Sequence, residues 1–255
     1  MVEKINNRGQ ITIFIILALI LVVIIAMLFL LFRSPEQNIV DDENPQAFIE
    51  KCTKDAVNEA LEILMPQGGY LEPQNYKLHE NKKLAYLCYT GEYYQTCSNQ
   101  VPMLIEHIEQ EIIDYTRPRI ANCFQILESK LEGRYDIVAN MDELNINVNL
   151  QPKQVIVDIE KEFKMTHGSD VRIFNDFKIK IMSPIYELTK LTLKILSREA
   201  ISCNFDYVDY VMLYPENDIR KFVTGDSSRI YTLREKVSGE EFIFAIRNCV
   251  MPPGF

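Results

Sequence analysis

A long apolar segment near the N-terminus is the strongest pattern in this chain. Ile11 to Phe32 is a run of 22 apolar or weakly polar residues without a charge, a glycine or a proline. At about 1.5 Å per residue, a helix of this length reaches roughly 33 Å, which is enough to cross a hydrocarbon core of about 30 Å. The pattern predicts one transmembrane helix at 11–32, because buried core helices rarely run so far without a polar face and secretory signals have shorter apolar regions.

The charges on the two sides of this segment differ. Lys4 and Arg8 precede it, whereas residues 33–43 contain one arginine and four acidic residues. By the positive-inside rule, residues 1–10 form a cytoplasmic tail, 33–43 an acidic linker, and the rest an extracytoplasmic body. We therefore expect a single-pass protein of the cell membrane, anchored in the lipid bilayer through 11–32, with its C-terminal body extracellular.

Two helices are predicted where apolar residues recur at helical spacing in the first part of the body. Asn44 is a suitable cap for the first helix, which ends at Pro66. A second helix opens near Pro102, and Pro118 should kink or break it near Tyr115, because proline lacks the backbone N–H of the helix ladder.

Alternating apolar and polar positions predict strands elsewhere in the body. Between the two helices, residues 84–90 and 93–97 are typical of a short hairpin around Gly91-Glu92. Beyond residue 133 the period changes from 3.6 to 2, as in antiparallel strands with one solvent-exposed face. The strands predicted there are 144–150, 155–163, 171–182, 229–237 and 241–247, with helices from Pro184 and at 206–213.

The predicted fold class is α+β, with one N-terminal transmembrane helix followed by an extracytoplasmic body of antiparallel sheets packed with helices. Within the body we expect a mainly helical subdomain with a hairpin at 44–133 and an α+β subdomain at 134–255.

Charge limits the classes of partner. The chain has 27 basic and 36 acidic side chains, of which three basic and one acidic lie in the first 33 residues. The body therefore carries 24 basic and 35 acidic groups and a formal charge of −11. Such a field repels nucleic acid and anionic lipid headgroups, so neither is expected as a main ligand.

All six cysteines lie in the body: Cys52, Cys88, Cys97, Cys123, Cys203 and Cys249. An even number in an extracytoplasmic domain favours disulfides, and no pair has the C-x-x-C spacing of a zinc or redox site. Many pairings are open to six cysteines. We favour Cys88 with Cys97 across the predicted hairpin, Cys52 with Cys123 between two helices, and Cys203 with Cys249. The alternative is six buried, reduced thiols.

The start of the chain resembles a known signal. Arg8-Gly9-Gln10-Ile11-Thr12 before a long apolar helix is similar to the class III signal of archaeal type IV pilin-like proteins, in which a peptidase cuts just before a glutamine like Gln10. Phe14 departs from that family, which commonly has glutamate there. Together with a helix ending in Gln67–Tyr70 and a last strand at Phe242–Arg247, this start resembles uncharacterised single-span surface proteins of small-genome (DPANN) archaea. The resemblance implies a surface location and this architecture, and no activity.

The sequence indicates no catalytic, cofactor-binding or metal-binding residues. His107 and Glu111 lie four apart on the second helix, but without an H-E-x-x-H motif they are better interpreted as an exposed helix face. His167–Asp170 contains a base, a hydroxyl and a carboxylate at positions typical of a turn. The alternating acidic residues of 158–162 oppose apolar positions and are interpreted as a solvated strand face.

Tyrosine is the better lead to a binding surface. Six of the 13 tyrosines fall around the predicted hairpin: Tyr70, Tyr76, Tyr86, Tyr89, Tyr93 and Tyr94. Tyrosine offers apolar area and a hydroxyl at a small entropic cost, which suits a surface that binds proteins or glycans. The alternative is that these rings pack against the helices and line the core.

Three functions are consistent with these patterns. We favour a membrane-anchored, disulfide-braced, non-enzymatic module that contacts a protein or glycan outside the cell, with a homo-oligomer left open. The second is a pilin-like filament subunit cleaved before Gln10. The third is an extracytoplasmic hydrolase with an unrecognised site, which requires a deep pocket with at least two convergent titratable groups.

Overall fold

Two β-sheets and the amphipathic helices packed against them form the body of the protein. The computed structural model describes residues 17–23, 44–139 and 144–252, and the chain divides into two units between Asp41 and Asp42. The described helices of the second unit are α1 (Pro45–Leu64), α2 (Leu104–Leu131), α3 (Ile185–Ser202) and α4 (Tyr207–Leu213), with a 3-10 turn at Met65–Gln67. Its described strands are β1 (Tyr76–His79), β2 (Lys82–Tyr89), β3 (Ser98–Asn99), β4 (Asp136–Ala139), β5 (Asn145–Gln151), β6 (Gln154–His167), β7 (Asp170–Met182), β8 (Asn217–Val223), β9 (Arg229–Glu235) and β10 (Glu241–Arg247).

The larger sheet is mixed. Its strand order is β1-β2-β10-β9-β8, and the short β3 also pairs with β2. The pair β2–β10 is parallel, whereas β1–β2, β2–β3, β9–β10 and β8–β9 are antiparallel. The two parallel strands lie in the middle of the sheet and are apolar over most of their length, as expected of strands covered on both faces.

The smaller sheet is antiparallel and is organised around β6. Strand β5 pairs with the first half of β6, β4 with its second half, and β7 with the other edge. Val155, Val157 and Ile159 are buried against the helices. On the opposite face Glu160 is exposed and Asp158 lies 3.2 Å from the Lys178 ammonium, which confirms the solvated face predicted from the alternation.

The helices pack around a main core, and Leu84, Tyr86, Ile230 and Ala245 form a second, smaller cluster. Asn44 caps α1 as predicted, because its side-chain oxygen accepts the backbone N–H groups of Gln46 and Ala47. The core contains residues from both sides of residue 133, and the predicted division into 44–133 and 134–255 stays a prediction. Its largest fully buried side chains are Tyr231, Phe124, Phe163, Phe177, Phe242 and Phe244.

The fold class predicted from the sequence is wrong in its transmembrane helix. Most of Ile11 to Phe32 lies outside the described residues, and the described part, 17–23, is helical. Each helix that the structure describes is too short or too polar to cross a lipid bilayer. The sheets are also not wholly antiparallel, while the α+β class is confirmed. Gln10 and Phe14 lie outside the described residues as well, so cleavage before Gln10 stays a prediction.

Two local predictions are also wrong. Residues 93–97 are not a strand: β2 pairs with β1 across Glu80-Asn81, two residues with positive φ angles of 48° and 63°, and with β3 only from Ser98 onward. Helix α2 continues through Pro118, so the predicted break near Tyr115 is wrong, while a kink there stays a prediction. Pro118 is on the exposed side of the helix, where water can hydrate the carbonyl that the proline leaves without a partner.

The turn after α1 depends on a glycine. Gly69 has a φ of +88°, and a Cβ atom there would lie 2.8 Å from Cγ1 of Ile108 on α2. We expect Gly69→Ala to lower the free energy of unfolding by about 2 to 3 kcal/mol, because it combines a left-handed backbone with an overlap in a packed core. Urea unfolding of the full chain measures this loss.

Gly133 provides the matched control, since its φ is also +88° but nothing lies within 4 Å of its added Cβ. Gly133→Ala should lower the free energy of unfolding by only about 1 kcal/mol, because it adds the strain of the left-handed backbone without a steric overlap. Equal losses in the two variants would rule out the contact with Ile108 as the cause.

Candidate functional site

The six tyrosines that cluster in the sequence are separated in the structure. Tyr70 packs on the ring of His107, with 4.2 Å between the ring centroids. Tyr76 lies on β1 with the Lys83 ammonium 5.1 Å from its ring centroid. The remaining four lie near the end of β10. Both interpretations of the six tyrosines therefore hold in part. Some of the rings are exposed and open to a partner, and others are packed inside the protein.

The aromatic group near the end of β10 contains both kinds. Tyr86 is buried, and its hydroxyl lies 3.1 Å from the hydroxyl of Ser228. Its ring contacts Tyr89 edge-on, at 5.2 Å between centroids. Tyr93 and Tyr94 are 46% and 60% exposed. These last two rings are the ones available to a partner.

Residues 90–97, here called the tyrosine loop, are fixed at both ends and along their length. The Cys88–Cys97 disulfide closes the loop, and Asn248 accepts the Cys97 N–H through its side-chain oxygen at 2.8 Å. Three backbone hydrogen bonds join the loop to residues 247–250, at and after the end of β10: Thr90 N–H to Arg247 O (3.0 Å), Tyr94 N–H to Val250 O (2.9 Å) and Cys249 N–H to Gln95 O (2.9 Å). The loop therefore presents its tyrosines from a rigid frame.

A planar cation lies between exposed Tyr93 and half-buried Tyr89. The Arg247 guanidinium carbon is 5.9 Å from the Tyr93 ring centroid and 5.8 Å from that of Tyr89. Arg247 also donates a hydrogen bond to the Thr90 carbonyl, which holds it in this position. The surface thus combines aromatic faces, phenol hydroxyls and guanidinium donors, a composition typical of binding hot spots.

A buried polar network supports the tyrosine loop from below. Glu199, fully buried near the end of α3, accepts hydrogen bonds from Arg229 at 2.8 Å, from the Tyr231 hydroxyl and from the Asn248 amide at 3.2 Å. Burial and the neighbouring Glu199 carboxylate raise the pKa of Tyr231 far above its ordinary value. Because Asn248 also binds the Cys97 N–H, the network links α3 and β9 directly to the loop.

The prediction of disulfides is confirmed, and the pairs are those favoured from the sequence. They are Cys52–Cys123 between α1 and α2, Cys88–Cys97 at the base of the tyrosine loop, and Cys203–Cys249 between the end of α3 and the chain after β10. Two of the three bonds therefore lie next to the exposed tyrosines.

The interpretation of His107 and Glu111 as an exposed helix face is wrong. Their side chains are only 23% and 21% exposed, because the turn after α1 covers them. Glu111 accepts a hydrogen bond from the Leu71 N–H at 2.9 Å, and its carboxylate lies 3.7 Å from the Nε2 atom of His107. Burial lowers the pKa of His107 despite the nearby Glu111. The pair therefore fixes the turn against α2.

The turn predicted at His167–Asp170 is confirmed. Gly168 has a φ of +60° at the tip between β6 and β7. The His167 ring packs on Tyr135 and its Nδ1 atom lies 2.8 Å from the Arg134 carbonyl. Within 17–23, 44–139 and 144–252, no three His, Cys, Asp or Glu side chains come together in a way that would hold a metal ion.

A second site, here called the acidic groove, lies at the start of β10 and is not indicated by the sequence. It consists of two adjoining hollows of about 620 and 510 Å³ that share Met182 and Glu240. Burial raises the pKa of Glu240, with a further contribution from Glu235, while the N–H of Ser238 lowers that of Glu235. The carboxylates belong to Glu62, Glu187, Glu216, Glu235, Glu240 and Glu241.

The chain has no match among models of protein families, curated proteins or solved structures. Similarity to known proteins therefore assigns no function to the tyrosine loop or to the acidic groove. The resemblance of the N-terminus to pilin-like and DPANN surface proteins stays a prediction, as does the hydrolase hypothesis.

Proposed function

We propose that the body is a disulfide-braced extracytoplasmic module that binds a protein or glycan of the cell envelope through the tyrosine loop. The three disulfides support an oxidising compartment, since such bonds seldom persist in a reducing cytoplasm. All six cysteines of the chain are used in them.

The observation that carries this proposal is the rigid presentation of two exposed tyrosines. A flexible loop loses conformational entropy on binding, whereas the tyrosine loop is already held by a disulfide and by its hydrogen bonds to residues 247–250. Tyr93 and Tyr94 each have only two side-chain torsions to order. Their apolar faces and hydroxyls suit a sugar ring or a protein surface equally.

The test is retention of the full-length, oxidised protein on isolated cell envelopes of its host. Tyr93→Ser combined with Tyr94→Ser should weaken retention at least about tenfold, because each aromatic contact in a binding centre contributes on the order of 1 kcal/mol or more. The matched control is Tyr76→Ser with Tyr214→Ser, which removes two tyrosines of 41% and 42% exposure elsewhere and should leave retention unchanged. Equal retention of all three proteins would contradict the proposal.

The same assay separates the two partner classes. Envelopes treated with protease lose protein partners, and envelopes treated with periodate lose glycans with vicinal hydroxyls. Retention that depends on Tyr93 and Tyr94 should disappear after one of these treatments and survive the other.

A further inference from the structure

The acidic groove and the tyrosine loop occupy opposite ends of one strand. β10 starts at Glu241, which lines the groove, and ends at Arg247, which lies beside the tyrosine loop. Six steps along a strand amount to roughly 20 Å. A ligand of one site therefore does not have to compete with a ligand of the other.

The groove offers apolar surface to solvent. Met182, at the end of β7, is 72% exposed and belongs to both hollows, and Val237, in the turn between β9 and β10, is 91% exposed. Large exposed apolar residues in a concave surface mark a place where a partner gains contact area.

Carboxylates surround this apolar surface, and neutral groups orient them. The larger hollow contains four glutamates and Lys153. Three of the glutamates accept hydrogen bonds from uncharged donors: Glu187 from the Lys153 N–H (3.0 Å), Glu235 from the Ser238 N–H (2.6 Å) and Glu240 from the Ser183 hydroxyl (2.7 Å). None of the ion pairs formed within the described chain includes these three or Glu216. The carboxylates of Glu187, Glu235 and Glu240 are thus held in place by neutral donors, while the Lys153 ammonium, which helps to lower the pKa of Glu235, offsets part of their charge.

We infer that the acidic groove binds an extended basic segment of a partner protein, with lysine or arginine side chains at the glutamates and apolar side chains on Met182 and Val237. Successive side chains of an extended peptide point in opposite directions, so one segment supplies both kinds of contact. Charge complementarity between the glutamates and a cationic segment supports encounter and selects against acidic partners.

Other occupants fit the groove less well. A second copy of the body has a formal charge of −11 and is repelled. A single metal ion needs several converging ligands, and the described residues contain no group of three acidic, histidine or cysteine side chains so arranged. The glutamates are spread along the groove instead, which suits charges spaced along a peptide.

The test uses fluorescence anisotropy of a labelled peptide, Lys-Leu-Lys-Val-Lys-Leu-Lys-Val, titrated with the full-length oxidised protein in dilute buffer. Glu187→Gln combined with Glu216→Gln should weaken binding at least tenfold, because two charge contacts are lost while the amide keeps the shape and acceptor of each side chain. The matched control, Glu72→Gln with Glu132→Gln, removes the same charge from exposed positions outside the groove and should change the affinity less than twofold.

A second variant tests the apolar contact without risk to folding. Val237→Ser, at a 91% exposed position, should weaken binding of the same peptide about threefold to fivefold. A peptide with serine in place of leucine and valine should bind the unchanged protein at least fivefold more weakly than the original.

Three results would overturn the inference. Equal weakening by the groove and control variants would mean that only net charge attracts the peptide. Equal affinity for the serine peptide would mean that the apolar surface is not used. Displacement of the peptide by micromolar spermine or calcium would assign the groove to a small cation. Each result leaves the test of Tyr93 and Tyr94 unaffected.

Discussion

Replacement of Cys52 and Cys123 together with alanine should lower the free energy of unfolding by about 4 kcal/mol. Their bond spans 71 residues and joins α1 to α2. In the chain-entropy account, its loss frees an unfolded loop of that length, and the stabilisation scales with the logarithm of the loop length. Urea unfolding of the oxidised protein, with and without the pair, measures the change.

The Cys88–Cys97 pair provides the internal comparison, since its bond spans only nine residues. Its replacement should cost about 2.5 kcal/mol by the same relation. The two double variants can be compared because alanine removes one sulfur atom at each of the four positions. Cys88, Cys97 and Cys123 are buried, and Cys52 is partly buried. A larger loss for the short loop than for the long one would contradict the entropic explanation.

Glu199→Ala should destabilise the protein by about 3 to 5 kcal/mol. The substitution leaves Arg229, whose side chain is only 19% exposed, without its carboxylate, and it leaves the Tyr231 hydroxyl without its acceptor. Removal of one partner from a buried ion pair is costly because the other charge stays desolvated. Hydrogen exchange of the Cys97 N–H should change little, since the Asn248 amide keeps its hydrogen bond to the main-chain carbonyl of residue 199.

Two controls separate charge from hydrogen bonding at Glu199. Glu199→Gln keeps an acceptor for the Tyr231 hydroxyl and should fall between the wild type and the alanine variant. Glu160→Ala, at an exposed position of β6, should change stability by no more than about 0.5 kcal/mol. A loss below about 1 kcal/mol for Glu199→Ala would show that the network does not stabilise the fold.

Local patterns predict the long elements of this fold well. α1, α2 and the strands β5, β6 and β7 carry apolar residues at regular periods, and each is present near its predicted position. The sequence does not indicate β8, because it is an edge strand with a single buried residue, Ile219. One buried position does not make a recognisable alternation. Its pairing with β9, rather than its own pattern, makes it a strand.

The error at residues 93–97 has a related cause. These residues have the aromatic composition of a strand, but their backbone bonds to Cys249 and Val250, just after β10 and much later in the chain. A local pattern contains no information about such a distant pairing. The burial of Tyr86 depends on another such pairing, because Ala245 of β10 lies directly beside Tyr86 in the sheet.

The two sites differ in how far the sequence indicates them. The density of tyrosines points to the tyrosine loop, although it does not separate exposed Tyr93 and Tyr94 from buried Tyr86. The acidic groove is built from several turns that are distant in sequence, around Lys153, Ser183, Glu216 and Ser238. Each turn alone has the polar composition of any surface turn, so only the tertiary structure brings their carboxylates together.

The position of β10 has a consequence for synthesis of the chain. This strand lies between β2 and β9, so the larger sheet has a gap at its centre until residue 247 has left the ribosome. Pairing between segments so far apart is slow, and the unpaired strands stay open to other chains in the meantime. Completion of the larger sheet is therefore a late step in the folding of this chain.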